Sequence, residues 1–159
     1  MMIKMKRTQI LSEIKKYFSA KELICIHTYQ RFGETSWFLL PTFWLETLLV
    51  IRRDILQKPM VCNKYDSASG MYTQRGTRCN LCQLIKDATK ANISYNSAHS
   101  KNIAGDFNVL EMTAEEARRK IEEKKDLLPY PIRIEAGVTW LHIDCYDNDN
   151  GKKITYFTD

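Results

Sequence analysis

The sequence predicts a single-domain α+β fold in which an antiparallel sheet is backed by helices. Three observations predict it. Helix-period apolar stripes and capping patterns fill the first 58 residues, alternating strand-like runs crowd the last 28, and a polar, turn-rich stretch separates them. With 159 residues and 44% hydrophobic content, the chain can close one ordinary core without disulfides.

Residues 3–17 read as an amphipathic helix carried by Ile3, Ile10, Ile14 and Tyr17 or Phe18. Ser19-Ala-Lys-Glu22 is a capping-box pattern and opens a short second helix. Thr42 is placed to cap a longer helix to about Gln57, with Trp44, Leu48, Ile51 and Ile55 on one stripe, and Pro59 stops it. Residues 60–63 make a short buried strand. Residues 64–98 are rich in Ser, Thr, Asn, Gly and Arg, with a helical patch near 82–89; a loop of that length usually forms a lid or binding surface. A strand is expected at 104–109. Thr113-Ala-Glu-Glu116 is a second capping box, opening a charged helix to about Lys125 that Pro129 and Pro131 end. The runs 132–135, 140–146 and 152–157 then alternate as strands joined by short turns, an expected antiparallel meander. The helical part, 1–58, and the sheet part, 59–159, belong to one domain.

Several classes are excluded. No stretch is apolar for 18 residues; the longest, 37–51, is broken by Pro41, Thr42, Glu46 and Thr47, so no membrane span is expected. Residues 1–17 lack an apolar signal core, which predicts a chain that is cytoplasmic as synthesised. A net charge of +5 is spread widely, with no basic block interleaved with aromatics, and no nucleic acid partner is expected. Five cysteines at 25, 62, 79, 82 and 145 are not a secreted disulfide framework. Cys79 and Cys82, with Cys62 and Cys25, would suit a structural zinc site, but a second closely spaced pair is missing. Buried free thiols are the expectation.

Two of the three histidines sit in unusual company: Ser97-Ala-His99-Ser-Lys-Asn102-Ile-Ala104-Gly-Asp106, and Trp140-Leu-His142-Ile-Asp144. Residues 99 and 106 would lie about 10 Å apart on a helix and more than roughly 20 Å apart on a strand, so sharing a metal requires the chain to double back. Asn102 can take the left-handed turn that this needs. On a strand, Trp140, His142 and Asp144 share one face, where Asp144 is placed to orient the imidazole. Spacing alone leaves both histidines readable as ordinary hydrogen-bonded side chains.

Ser97-x-His99-x-x-Asn102-x-Ala104-x-Asp106 followed by Trp140-x-His142 resembles the metal signature of the zinc D-Ala-D-Ala carboxypeptidases. That family includes phage L-alanyl-D-glutamate endopeptidases and shares its fold with the hedgehog signalling domain. The resemblance is specific over 97–107 and 133–144, and departs at Asn102, where the family usually has Gly. It implies one zinc held by His99, Asp106 and His142, with a fourth position open for water. It also implies a peptidoglycan stem peptide as substrate, cleaved by a phage- or prophage-type endolysin or carboxypeptidase; the alternative is a non-catalytic zinc-containing wall-binding domain on the same scaffold. Where the family often has an acidic base this chain has Thr139, and Glu135, across a tight hairpin from His142, is the expected replacement. An upstream arginine that holds the substrate carboxylate falls at Arg75 or Arg78, and Ser97 and Trp140 are expected to touch substrate.

Overall fold

The computed structural model describes residues 4–65 and 72–158. Among them run α1 (Arg7–Ile14), α2 (Ala20–Leu23), α3 (Ile26–Phe32), α4 (Thr42–Val50), β1 (Met60–Val61), α5 (Gln83–Lys90), β2 (Ala104–Val109), α6 (Ala114–Glu123), β3 (Ile132–Glu135), β4 (Leu141–Asp144) and β5 (Ile154–Phe157). This is the expected α+β class.

Local signals set most element boundaries. The Ser19 hydroxyl accepts from the Glu22 amide, and Thr113 and Glu116 form the reciprocal capping box that starts α6. α1 is shorter than the expected 3–17, and Ile3 lies outside the described residues. Pro41, not Thr42, occupies the cap position of α4. The Arg7 guanidinium donates to the carbonyls of Trp37 and Leu40 and to the Thr42 hydroxyl at 2.8–2.9 Å, tying α1 to the entry of α4. After Val50 the helix widens into a π-helical turn, Ile51–Leu56, which Gln57 ends in a left-handed conformation (φ 56°).

The sheet order is β1-β2-β4-β3-β5. β1 with β2, β2 with β4, and β3 with β4 pair antiparallel, but β5 runs parallel to β3. The expected antiparallel meander is therefore corrected to a mixed sheet. β2 already occupies the outer edge of β4, so β5 can add only beyond β3, and reversing the direction of β4 makes it parallel there. β4 is also shorter than the expected 140–146, and Trp140 lies in the turn before it.

Register separates two faces. Gly105 opposes Ile143 and Phe107 opposes Leu141, turning apolar side chains to the core shared with Ile134 and Ile121. Asp106 opposes His142 and Ala104 opposes Asp144, on the other face. The core continues between α1 and α4 around Ile10, Ile14, Trp44 and Leu48. Among the described residues no helix is long and apolar enough to cross a membrane.

Candidate metal centre

His99 comes from a short 3₁₀ turn, Ala98–Lys101, which Asn102 closes in the left-handed region (φ 62°, ψ 30°). The Ile103 amide then donates back to the Ala98 carbonyl at 3.2 Å. That reversal brings His99 over the start of β2, where it meets Asp106.

The structure brings His99, Asp106 and His142 together, with one donor atom from each lying within 4.8 Å of the others. His142 Nδ1 is 2.7 Å from Asp106 Oδ1, and His99 Nε2 is 3.4 Å from Asp106 Oδ2. Each imidazole has its remaining nitrogen fixed from outside. His99 Nδ1 donates to the Gly76 carbonyl at 2.7 Å, which leaves the Nε2 lone pair of the neutral ring facing inward. His142 Nε2 is 2.9 Å from Asp144 Oδ2. Asp144 in turn accepts two hydrogen bonds from Arg133, at 2.9 and 2.8 Å, and one from the Tyr146 amide at 3.0 Å. Histidine ligands of metals ordinarily show this arrangement, with the outer nitrogen held by a carbonyl or carboxylate. Two imidazoles and one carboxylate are a zinc donor set, and three protein ligands leave a position for water.

Electrostatics follow from burial and from these partners. Burial drives the His99 pKa down, against the pull of Asp106. Burial also acts to lower that of His142, but its hydrogen bonds to Asp106 and Asp144 outweigh it and raise the value to about 9. Burial acts to raise both carboxylates; the hydrogen bonds from the imidazoles, and for Asp144 from Arg133, hold them below the usual range.

The three residues line a cleft of about 590 Å³ together with Glu135, Tyr95, Ser97 and Trp140. A smaller lobe of about 360 Å³ carries Tyr72, Arg75, Asn108 and Thr139, and shares Arg78, Asp106 and Trp140 with the first. Glu135 lies one register step past the Ile134–Ile143 pair, opposite His142, and beside Phe157 of β5. Arg78 reaches the Tyr95 hydroxyl, the Gln74 carbonyl and, at 3.5 Å, Asp106 Oδ2. Arg75 donates to Asn108 and stacks on Tyr72, and one of its buried nitrogens has no hydrogen-bond partner, as is also true of the Ser97 hydroxyl. Part of the expected irregular segment, 66–71, lies outside the described residues; 72–82 forms a strap along the cleft.

Sequence reasoning missed Arg133, Gly76 and Tyr95, whose contacts depend on strand register and on a carbonyl, neither visible in a motif. All five cysteines are free thiols, as expected, with Cys25, Cys62 and Cys82 buried and Cys79 and Cys145 half-buried. Cys62 is buried apart from the others, with its amide on Glu22. The group that assembles is Cys25, His27, Cys79 and Cys82. The missed signal is Cys25-x-His27, the second close pair, overlooked because only a cysteine pair was sought.

Comparison with protein-family models, curated proteins and solved structures gives no match for this chain.

Proposed function

We propose that the protein is a zinc-dependent peptidase acting on peptidoglycan stem peptides, with His99, Asp106 and His142 as its metal ligands. The observation that carries this reading is the pinning of both imidazoles from outside, by the Gly76 carbonyl and by Asp144, while their inner nitrogens converge on Asp106. A zinc ion in that position supplies a water of lowered pKa and polarises the scissile carbonyl.

The remaining roles fall to residues of the same cleft. Glu135 is the proton acceptor, because it lines the same cleft as the three ligands and stands opposite His142, whereas Asp144 orients His142. Arg78, at the junction of both lobes, receives the substrate carboxylate, and Arg75 serves the smaller lobe. The indole of Trp140, 37% exposed at the cleft rim, offers an apolar wall for the peptide, and the Ser97 hydroxyl offers a hydrogen bond.

The test is digestion of purified muropeptides by zinc-loaded protein, followed by mass spectrometry. Wild type is expected to cleave a stem-peptide bond, and Glu135→Gln to keep fold and metal while turnover falls by about 10²–10⁴-fold. Full zinc occupancy in His99→Ala and His142→Ala proteins at this site would overturn the ligand assignment. Stem-peptide binding without cleavage by wild type would replace the enzyme with a non-catalytic wall-binding domain.

A further inference from the structure

A second group of ligating side chains stands outside the cleft just described. Cys25 caps the N-terminus of α3, and His27 is the second residue of that helix. Cys79 lies near the end of the strap, and Cys82 ends it as the N-cap residue of α5. Cys79 Sγ lies 3.8 Å and Cys82 Sγ 3.7 Å from His27 Nδ1, and the two sulfurs are 4.0 Å apart. Zinc–sulfur bonds of about 2.3 Å and zinc–nitrogen bonds of about 2.0 Å at tetrahedral angles give donor separations of roughly 3.5–3.8 Å. His27, Cys79 and Cys82 already have those separations to within a few tenths of an ångström, and the Cys25 sulfur lies within 4.8 Å of all three.

The surroundings suit thiolates. The Cys79 amide donates to Cys82 Sγ and the Leu81 amide to Cys79 Sγ, both at 3.4 Å, and Cys25 Sγ is 3.1 Å from the Thr28 hydroxyl. Four protein ligands leave no place for water, which is the composition of a structural rather than a catalytic centre.

The location gives such a centre a task. The strap meets the helical layer at Thr77, whose amide donates to the Leu23 carbonyl at 3.0 Å and whose hydroxyl accepts from the Cys25 amide at 2.9 Å. Its other side faces the cleft. The Gly76 carbonyl holds His99, the Arg78 amide donates to the His99 carbonyl at 3.1 Å, and the Asp106 amide donates to the Arg75 carbonyl at 2.8 Å. We propose that Cys25, His27, Cys79 and Cys82 hold a structural zinc ion that fastens this strap to α3, and thereby fixes Gly76 and Arg78 against the histidine centre. The metal assignment stands independently of the peptidase reading; the positioning of Arg78 for substrate rests on it.

Cobalt substitution of the full chain tests both parts. Wild type is expected to take up two cobalt ions and to show intense sulfur-to-cobalt charge-transfer absorption. In the His99→Ala/His142→Ala protein the ratio should fall to one while that absorption persists. X-ray absorption of the zinc protein should show sulfur ligands at about 2.3 Å. Absence of the charge-transfer band in metal-loaded wild type, or a zinc spectrum with only nitrogen and oxygen ligands, would overturn the site whether or not any peptide is cleaved. For the clamp, hydrogen exchange at amides 74–82 should be about tenfold faster or more in His27→Ala than in wild type, with His27→Cys restoring protection. Equal exchange in all three proteins would overturn the fastening role. Wild-type spectroscopy decides the metal site even if a substituted chain fails to fold.

Discussion

Arg118 offers a test that needs no substrate. It projects from α6 with its side chain only 6% exposed, and its guanidinium gathers the carbonyls of the turn between β3 and β4. Nε donates to the Glu135 carbonyl at 3.1 Å, and Nη2 donates to the carbonyls of Val138 and of Trp140, the latter at 2.9 Å. Its ion pair with Glu115 adds little, because that carboxylate is 80% exposed. In Arg118→Met the stem and its packing survive and the three hydrogen bonds go. Hydrogen bonds from a charged donor contribute about 1.5–3 kcal/mol each. Water can replace the donor at the half-buried Val138 and the exposed Trp140, so the expected net loss is about 2–4 kcal/mol rather than the full sum. For a chain of this length that is a fall in Tm of roughly 6–12 °C, read by calorimetry or urea titration. On the proposed peptidase reading turnover should fall as well, because Glu135 and Trp140 flank the turn. A Met variant that melts within about 1 °C of wild type would refute the claim that this residue holds the turn in place.

Two further predictions concern single positions. A Cβ on Gly76 would stand 2.2 Å from the Leu23 carbonyl oxygen, so Gly76→Ala must displace the strap and the carbonyl that orients His99. Isothermal titration should show metal affinity at the histidine centre falling by about 10–100-fold, the usual worth of a partner behind a ligand. Burial raises the Glu22 pKa, only partly offset by its hydrogen bonds to the Cys62 and Ser19 amides. Its charge therefore removes stability as pH climbs through the raised value, whereas below the ordinary carboxylate pKa the protonated form costs nothing. Glu22→Gln should thus gain in Tm over wild type at pH 7 relative to pH 4, and a difference independent of pH would refute the reasoning.

What could be read from the sequence was what short-range chemistry decides. The N-cap at Ser19, the capping box at Thr113, the helix that begins at 42 and the strands β3 and β4 follow from local sequence, and all are present in the fold. The left-handed turn at Asn102 was legible for the same reason: few non-glycine residues adopt it, and the spacing of 99 and 106 called for a reversal. Other features depend on which neighbours happen to be taken. The direction of β5 follows from β2 occupying the edge of β4, a fact about residues some forty positions upstream. Arg133 reaches Asp144 only through strand register, and His27 meets Cys79 and Cys82 across more than fifty residues. No window of sequence contains those relations.

The geometry of the candidate centre depends on the sheet face turned away from it. Asp106 sits between Gly105 and Phe107, which share the opposite face with Ile143 and Leu141. A Cβ on Gly105 would lie 2.6 Å from the Phe107 ring, so glycine there lets that ring lie over its own strand, where it is wholly buried and packs near Phe18. The register that buries Phe107 against Leu141 is the one that sets Asp106 opposite His142. A slip of one residue would turn Phe107 to the cleft and Asp106 to the core, at the cost of both apolar burial and an unpaired buried carboxylate. Core packing and ligand geometry are thus selected by a single register. Asp106 and His142 are held on rigid strands for that reason, while His99, on its turn, depends on the strap behind it.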